Sequence, residues 1–105
     1  MKLGLGTAQF GMDYGVTNPA GKVSHTEVMR ILALAAELGV RILDTAPGYG
    51  DSESVLGAAL AGGHSFQIVT KTPAFRTGKI TRDHAASLDL SLRQSIARLR
   101  QDRIY

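Results

Sequence analysis

The chain has 105 residues and a mass of 11.2 kDa, enough for one small domain with a modest core. Hydrophobic residues make up 44 % and charged residues 20 %, which excludes a disordered acidic tail and a collagen-like repeat. Because the chain has no cysteine, disulfide frameworks and thiolate chemistry are also excluded, and we expect a cytoplasmic protein.

The distribution of charge argues against membrane and nucleic-acid partners. No apolar run approaches the roughly 18 residues of a membrane helix, and the first residues lack the apolar region of a signal peptide. The net charge of +3 comes from twelve basic and nine acidic residues spread along the chain. Nucleic-acid binders usually show a dense basic face with stacking aromatic residues, and aromatics here are only 6 %. We therefore interpret the charge as a feature of solubility.

The first amphipathic helix is predicted to begin at Ser24. Ser24 and Glu27 form a capping-box pattern, in which each side chain satisfies a free backbone amide. Gly39 supplies the left-handed residue that ends many helices. The apolar residues between them have the spacing of a buried helix face: Val28, Ile31, Leu32, Ala35 and Leu38.

Two further helices are predicted, and we expect their apolar stripes to face a sheet. The second helix begins at Asp51 or Ser52 and stops at residues 62–63. We interpret Ser52 and Glu53 as capping residues of this helix rather than catalytic ones. The third helix carries the stripe Ala85, Leu88, Leu92, Ile96 and Leu99.

Short apolar runs precede the helices and end the chain. They predict strands near residues 3–6, 40–43 and 66–71, with the start of a fourth at 103–105. Strict alternation of strands and helices implies parallel strands joined by right-handed crossovers. A doubly wound sheet could be built from few such units, whereas an eight-unit barrel would need about 265 residues. If the fold is a barrel, residues 1–105 hold less than half of it.

Polar side chains stand at the ends of two predicted strands. Asp44 directly follows strand 40–43 and Lys71 closes strand 66–71, at the edge where parallel α/β proteins place their active sites. Tyr49 lies in the loop above the same edge. A lysine ammonium beside a phenol stabilises the phenolate, and an aspartate can hold that lysine in place. We therefore predict a general acid that protonates a carbonyl oxygen while a hydride arrives at carbon.

Each of these three residues also has a structural interpretation. Asp44 could cap its loop, Tyr49 could be a half-buried loop aromatic, and Lys71 could be an ordinary charge at a strand end. Their grouping at two neighbouring strand ends favours function. The three histidines have no metal-ligand spacing, so we predict no metal site.

The run ILDTAPGYGDSESVLG, residues 42–57, resembles the aldo-keto reductase signature DTAxxYGxSExxxG. Two other segments resemble that family in the same order, LGLGT at residues 3–7 and IVTK at residues 68–71. The resemblance covers essentially the whole chain. It implies an NADP(H)-dependent oxidoreductase on a (β/α)₈ TIM barrel that acts on a small-molecule aldehyde or ketone, with NAD(H) as the alternative cofactor.

The resemblance also implies roles for single residues. Tyr49 would be the proton donor and Lys71 the cation that activates it. Asp44 would pair with Lys71 and lie near the nicotinamide ribose. Thr7, after the first strand, would be a further cofactor neighbour.

We expect the chain to be the N-terminal part of such a barrel, with three βα units and the start of a fourth. The family's catalytic histidine would lie beyond Tyr105, and the positions of His25, His64 and His84 do not match it. Three or four strands taken from a barrel leave open edges and an uncovered face. We therefore expect residues 1–105 alone to be inactive and to self-associate. The alternative is a non-catalytic half-barrel that acts only as a self-associating scaffold.

Overall fold

The computed structural model describes residues 2–105, in which three short parallel strands alternate with helices. The strands are β1 (Gly4–Gly6), β2 (Ile42–Asp44) and β3 (Gln67–Val69). The helices are α1 (Ala8–Gly11), α2 (His25–Glu37), α3 (Ser52–Ala59) and α4 (Arg82–Leu99). The sheet order is β1-β2-β3, which confirms the predicted α/β class with parallel strands.

Helix α2 begins and ends close to its predicted limits. Ser24 precedes it and accepts a hydrogen bond from the Glu27 amide at 3.3 Å, and Gly39 follows it with φ at 78°. The Glu27 carboxylate pairs with Arg30 at 3.3 Å instead of completing the capping box. Leu38 is 73 % exposed, so the buried stripe is shorter than predicted. The buried residues of this helix are Val28, Leu32 and Ala35.

Helix α4 packs differently from the prediction. It lies against α3, and only its last turn reaches the core, through Leu99. Leu92 is 47 % exposed, whereas the polar Ser95 is buried. The prediction that the whole apolar stripe of this helix faces the sheet is therefore wrong, because α4 packs mainly against α3 and Ala85 and Leu92 of the stripe are exposed.

Strand β2 begins two residues later than predicted, at Ile42. The Val40 amide donates to the Ala35 carbonyl at 2.9 Å, so Val40 belongs to the turn that ends α2. The strand extends instead to Asp44, which is its last residue. The acidic side chain thus stands at the carboxyl end of the strand itself.

Strand β3 is also shorter than predicted, since the Phe66 amide donates to His64 Nδ1 at 3.1 Å and lies outside the ladder. Residues 103–105, the predicted start of a fourth strand, have no strand conformation in the described chain. The Tyr105 amide nevertheless donates to the Ile68 carbonyl at 3.0 Å, so the chain end lies beside β3.

The core is small and leaves much of the molecule exposed. The accessible surface is 7241 Å², whereas a compact monomer of this mass has about 5700 Å². The radius of gyration is 14.8 Å, against about 13 Å for a compact domain of this length. No helix within residues 2–105 is long and apolar enough to cross a membrane. The buried core residues are Phe10, Val28, Leu32, Leu43, Leu56, Leu60, Ile68 and Leu99.

Gly57 permits the close approach of α3 and α4. A Cβ at this position would overlap the Arg98 carbonyl oxygen and the Leu99 backbone. We expect Gly57→Ala to lower the free energy of unfolding by about 1–3 kcal/mol, as overpacking usually does. Gly62→Ala is the matched control, because a Cβ there meets no atom within 4 Å. Urea unfolding compares the two variants. Equal urea midpoints for Gly57→Ala and Gly62→Ala would contradict the close approach of α3 and α4 at Gly57.

Candidate active site

The carboxyl edge of the sheet brings Asp44 and Lys71 into contact. Lys71 Nζ donates to Asp44 Oδ1 at 2.5 Å and to the Thr45 carbonyl oxygen at 3.0 Å. Asp44 ends β2, and Lys71 follows the neighbouring β3 by two residues, so adjacent parallel strands deliver the two charges to one point. Both side chains are a little under half exposed, which leaves the pair open to a ligand.

Tyr49 lies beside the same ammonium group. Lys71 Nζ is 4.8 Å from the centroid of the Tyr49 ring, within the range of a cation–π contact. The Tyr49 amide donates to the Ala46 carbonyl at 3.1 Å, and the Tyr49 carbonyl accepts from the Ser52 amide at 3.1 Å. Tyr49 is therefore held in the turn that leads into α3. The structure brings together all three residues for which the sequence predicted catalysis.

Opposing effects act on the ammonium of Lys71. Desolvation by burial lowers the pKa of Lys71, whereas the polar interactions with Asp44 and Tyr49, and the negative charges of their ionised forms, raise it. The net pKa of Lys71 is raised from its ordinary value. Lys71 therefore supplies a lasting positive charge at this edge of the sheet.

Two glycines let the backbone next to Tyr49 pack directly on α1. A Cβ on Gly11 would overlap the Tyr49 carbonyl oxygen and the Ser52 amide nitrogen, and one on Gly50 would overlap the Gly11 carbonyl oxygen. Gly50 also has φ at 57°, a value that favours glycine. The Asp51 amide donates to the Gly11 carbonyl at 3.3 Å. This contact fixes the turn that carries Tyr49.

A cluster of three buried hydroxyls lies beneath the site: Thr7, Thr45 and Ser52. Ser52 Oγ lies 3.0 Å from the hydroxyl oxygens of both threonines and donates to the Thr7 carbonyl at 2.9 Å. Thr7 Oγ1 donates to the Asp44 carbonyl at 2.9 Å. The cluster therefore ties the carboxyl ends of β1 and β2 to the first turn of α3, directly under Asp44.

The cluster corrects the interpretation of Ser52 and locates Thr7. Asp51 occupies the position that precedes α3, and Ser52 bonds to β1 and β2, so the capping interpretation of Ser52 is wrong. The Thr7 side chain is fully buried, with its hydroxyl turned towards Asp44. Thr7 thus lies under the site and presents no side-chain surface to a ligand.

Glu53 is a further buried polar residue to which the sequence analysis assigned the wrong role. Its side chain is 2 % exposed, and it accepts from Thr70 Oγ1 at 2.6 Å and from Arg98 Nε at 2.7 Å. It therefore joins α3 to β3 and α4 rather than capping a helix. A signal was present in the sequence, because Glu53 has helical spacing to the buried Leu56 and Leu60 and so lies on the core face of α3.

Ser52→Ala tests the hydroxyl cluster. The Thr7 carbonyl and the Thr45 hydroxyl would lose a partner in a buried setting, so we expect the free energy of unfolding to fall by about 1–3 kcal/mol. Ser54→Ala, at an exposed position of the same helix, is the matched control and should change it by no more than about 0.5 kcal/mol. The measurement is chemical denaturation followed by circular dichroism. Equal losses of unfolding free energy in the two variants would show that the buried hydroxyl cluster stabilises the fold no more than an exposed serine does.

Two concave regions of the described chain lie away from these residues. One, of about 750 Å³, lies between the loop before β3 and the residues that follow α4. The other, of about 500 Å³, lies at the amino ends of the strands. Neither includes Asp44, Tyr49 or Lys71. Asp44 and Lys71 are a little under half exposed, so within residues 2–105 the candidate site is an open edge of the sheet.

Known proteins provide an independent comparison. A sequence model described as the aldo/keto reductase family matches residues 2–104. Two solved structures from Pseudomonas aeruginosa, each provisionally named an aldo-keto reductase, are similar to this chain. The first is 38 % identical in sequence with a TM-score of 0.74, and the second is 36 % identical with a TM-score of 0.75. Both similarities cover 96 % of this chain, but only 39 % and 37 % of the respective relatives, so the chain spans less than half of their length. No curated protein matches the chain.

Proposed function

The chain belongs to the aldo/keto reductase family, and from this membership we propose that it carries the acid–base residues of an NADP(H)-dependent reductase of aldehydes and ketones. One observation supports the proposal above all others. Lys71 Nζ contacts Asp44 Oδ1 at 2.5 Å and lies 4.8 Å from the Tyr49 ring, at the carboxyl edge of parallel strands. Barrel enzymes of this class place their active sites at that edge.

Tyr49 is the proposed proton donor. Its hydroxyl protonates the carbonyl oxygen of the substrate as negative charge develops there, so that the product is an alcohol. The nicotinamide cofactor, when bound, supplies the hydride that the carbonyl carbon accepts. Lys71 stabilises the phenolate that remains on Tyr49 after the proton has left. The raised pKa of Lys71 keeps it cationic for this role.

One carboxylate oxygen of Asp44 binds Lys71, and the other is available to bind a ligand. Oδ1 accepts from Lys71, and Oδ2 makes no hydrogen bond within residues 2–105. A carboxylate oxygen at an open edge can accept a hydrogen bond from a ribose hydroxyl. We propose that Asp44 binds the cofactor in this way. We propose that Thr7 contributes to cofactor binding indirectly, by holding the Asp44 carbonyl from below.

The experiment that tests this function is a cofactor-oxidation assay on the full-length protein. NADPH and NADH are each incubated with a panel of aldehydes and ketones, and loss of the reduced nicotinamide is followed by absorbance. We expect consumption that requires the carbonyl compound and is faster with NADPH. Consumption only with NADH would replace the cofactor in the proposal, and none with either cofactor would contradict the reductase.

A second candidate function is a non-catalytic scaffold that self-associates. The exposed apolar surface favours it, because Leu3, Ile80 and Tyr105 are 59 %, 62 % and 72 % exposed. Fluorescence titration of the 105-residue chain with NADPH separates the two candidates, since binding favours the reductase and its absence favours the scaffold. We expect this chain to self-associate under either proposal, and a compact monomer on size exclusion would contradict that expectation.

A further inference from the structure

We propose that Glu53 is a positioning residue for Lys71 and acts through the hydroxyl of Thr70. The inference rests on the proposed function of Lys71. It assigns a task to a buried carboxylate that the proposed proton transfer does not otherwise use.

The backbone ladder ends before it reaches Lys71. The Thr45 amide donates to the Val69 carbonyl at 2.8 Å, and among residues 2–105 no backbone hydrogen bond reaches Thr70 or Lys71. In a regular parallel ladder the Thr45 carbonyl would accept from the Lys71 amide. Here it accepts from Lys71 Nζ at 3.0 Å. The segment that carries Lys71 has therefore left the sheet and needs another anchor.

Glu53 provides that anchor. Its Oε1 accepts from Thr70 Oγ1 at 2.6 Å, and Thr70 is the residue directly before Lys71. A hydroxyl that donates to a carboxylate forms one of the stronger hydrogen bonds in proteins. The bond fixes the backbone from which the Lys71 side chain reaches Asp44.

Arg98 holds Glu53 in turn. Glu53 Oε2 accepts from Arg98 Nε at 2.7 Å, so each carboxylate oxygen has its own partner. A buried carboxylate requires such partners, because its desolvation is unfavourable. Arg98 is in α4, Glu53 is in α3 and Thr70 follows β3, so a continuous chain of contacts runs from the outer helix to Lys71.

Three substitutions at two neighbouring threonines test the proposal in the full-length protein. Thr70→Val removes the hydroxyl at nearly constant volume, Thr70→Ser retains it, and Thr72→Val is the matched control at the next threonine. We expect Thr70→Val to lower kcat by about 10- to 100-fold, the scale of a small misplacement, with little change in KM. As pH rises, kcat of Thr70→Val should also begin to fall at lower pH than in the wild type, because Lys71 loses its proton more readily away from Asp44. Thr70→Ser and Thr72→Val should both behave as the wild type.

A second readout does not depend on turnover. Limited acetylation with acetic anhydride, followed by peptide mass spectrometry, measures how readily the Lys71 amine reacts relative to that of Lys79. We expect Lys71 to react several-fold faster in Thr70→Val, because an ammonium that leaves Asp44 loses its proton more readily. Glu53→Gln retains the shape of the side chain but replaces a charge-assisted hydrogen bond with a neutral one. It should also increase the acetylation rate of Lys71, by a smaller factor.

The outcomes separate this inference from the proposed function. Unchanged acetylation of Lys71 in Thr70→Val, or in Glu53→Gln if the first variant does not fold, would overturn the positioning role. An unchanged pH profile with normal kcat in Thr70→Val would do the same. Faster acetylation in a protein whose wild type reduces no carbonyl compound would support the positioning of Lys71 and overturn only the reductase.

Discussion

Replacement of Tyr49 with phenylalanine is expected to lower kcat for carbonyl reduction by about 10²–10⁴-fold, the range that a positioned general acid contributes. The ring that lies 4.8 Å from Lys71 Nζ is retained, and only the hydroxyl that would donate the proton is lost. We therefore expect NADPH binding to stay close to that of the wild type. Steady-state turnover and fluorescence titration measure the two quantities in the same preparation.

Tyr14→Phe is the matched control for this variant. Tyr14 is 56 % exposed in the segment that follows α1, and its carbonyl rather than its hydroxyl accepts hydrogen bonds from Gln9 and Asn18. Its turnover should equal that of the wild type. Normal turnover in Tyr49→Phe would mean that another group donates the proton.

Lys71→Met is expected to give the second large loss. The substitution removes the ammonium that would stabilise the phenolate of Tyr49 and leaves Asp44 without its partner. We expect kcat to fall by about 10²–10³-fold, comparable to the removal of one electrostatic stabiliser in other enzymes. Turnover with saturating NADPH and carbonyl substrate is the measurement.

Stability measurements separate this catalytic loss from unfolding. The Lys71–Asp44 pair is nearly half exposed, and such pairs contribute only about 0–1 kcal/mol. Lys71→Met should therefore unfold at nearly the same temperature as the wild type. Lys79→Met, at an exposed lysine of the loop after β3, is the control and should leave turnover unchanged. Equal turnover in the two variants would remove Lys71 from the mechanism.

The meeting of Asp44, Tyr49 and Lys71 could be predicted from sequence because it follows from topology. Parallel strands end at one edge, so residues at the ends of neighbouring strands are close whatever the details of packing. The prediction survived an error of one or two residues in the strand limits, since both β2 and β3 still end at this edge. The DTAxxYGxSExxxG pattern then pointed to Asp44 and Tyr49, and the IVTK segment pointed to Lys71.

The polar residues beneath the site could not be predicted in the same way. Whether Thr7 and Ser52 turn inwards depends on how α1 and α3 pack on the strands, and α1 has only four residues, too few for a periodic pattern. For Glu53 the helical spacing to Leu56 was informative, but an acidic residue in the first turn of a helix is usually a favourable surface charge. Its partner Arg98 is far away in the sequence, so burial could be recognised only from the fold.

For a related reason, the apolar periodicity predicted more core residues than the structure has. Spacing shows which residues share a helix face, but not how far a neighbouring element covers that face. Leu38 lies beyond the last buried turn of α2, and Leu92 lies on a part of α4 that the core does not reach. Both were assigned to the core by spacing alone.

The most direct test of the account is the pH dependence of carbonyl reduction in the wild type and in Lys71→Met. Because the pKa of Lys71 is raised, its ammonium persists beyond the pH at which an ordinary lysine loses its proton. The account therefore predicts that kcat of the wild type exceeds that of Lys71→Met by about 10²–10³-fold at neutral pH, and that this ratio stays constant as pH rises until Lys71 itself loses its proton. Equal kcat in the two proteins, or a ratio that is already lost at neutral pH, would contradict it.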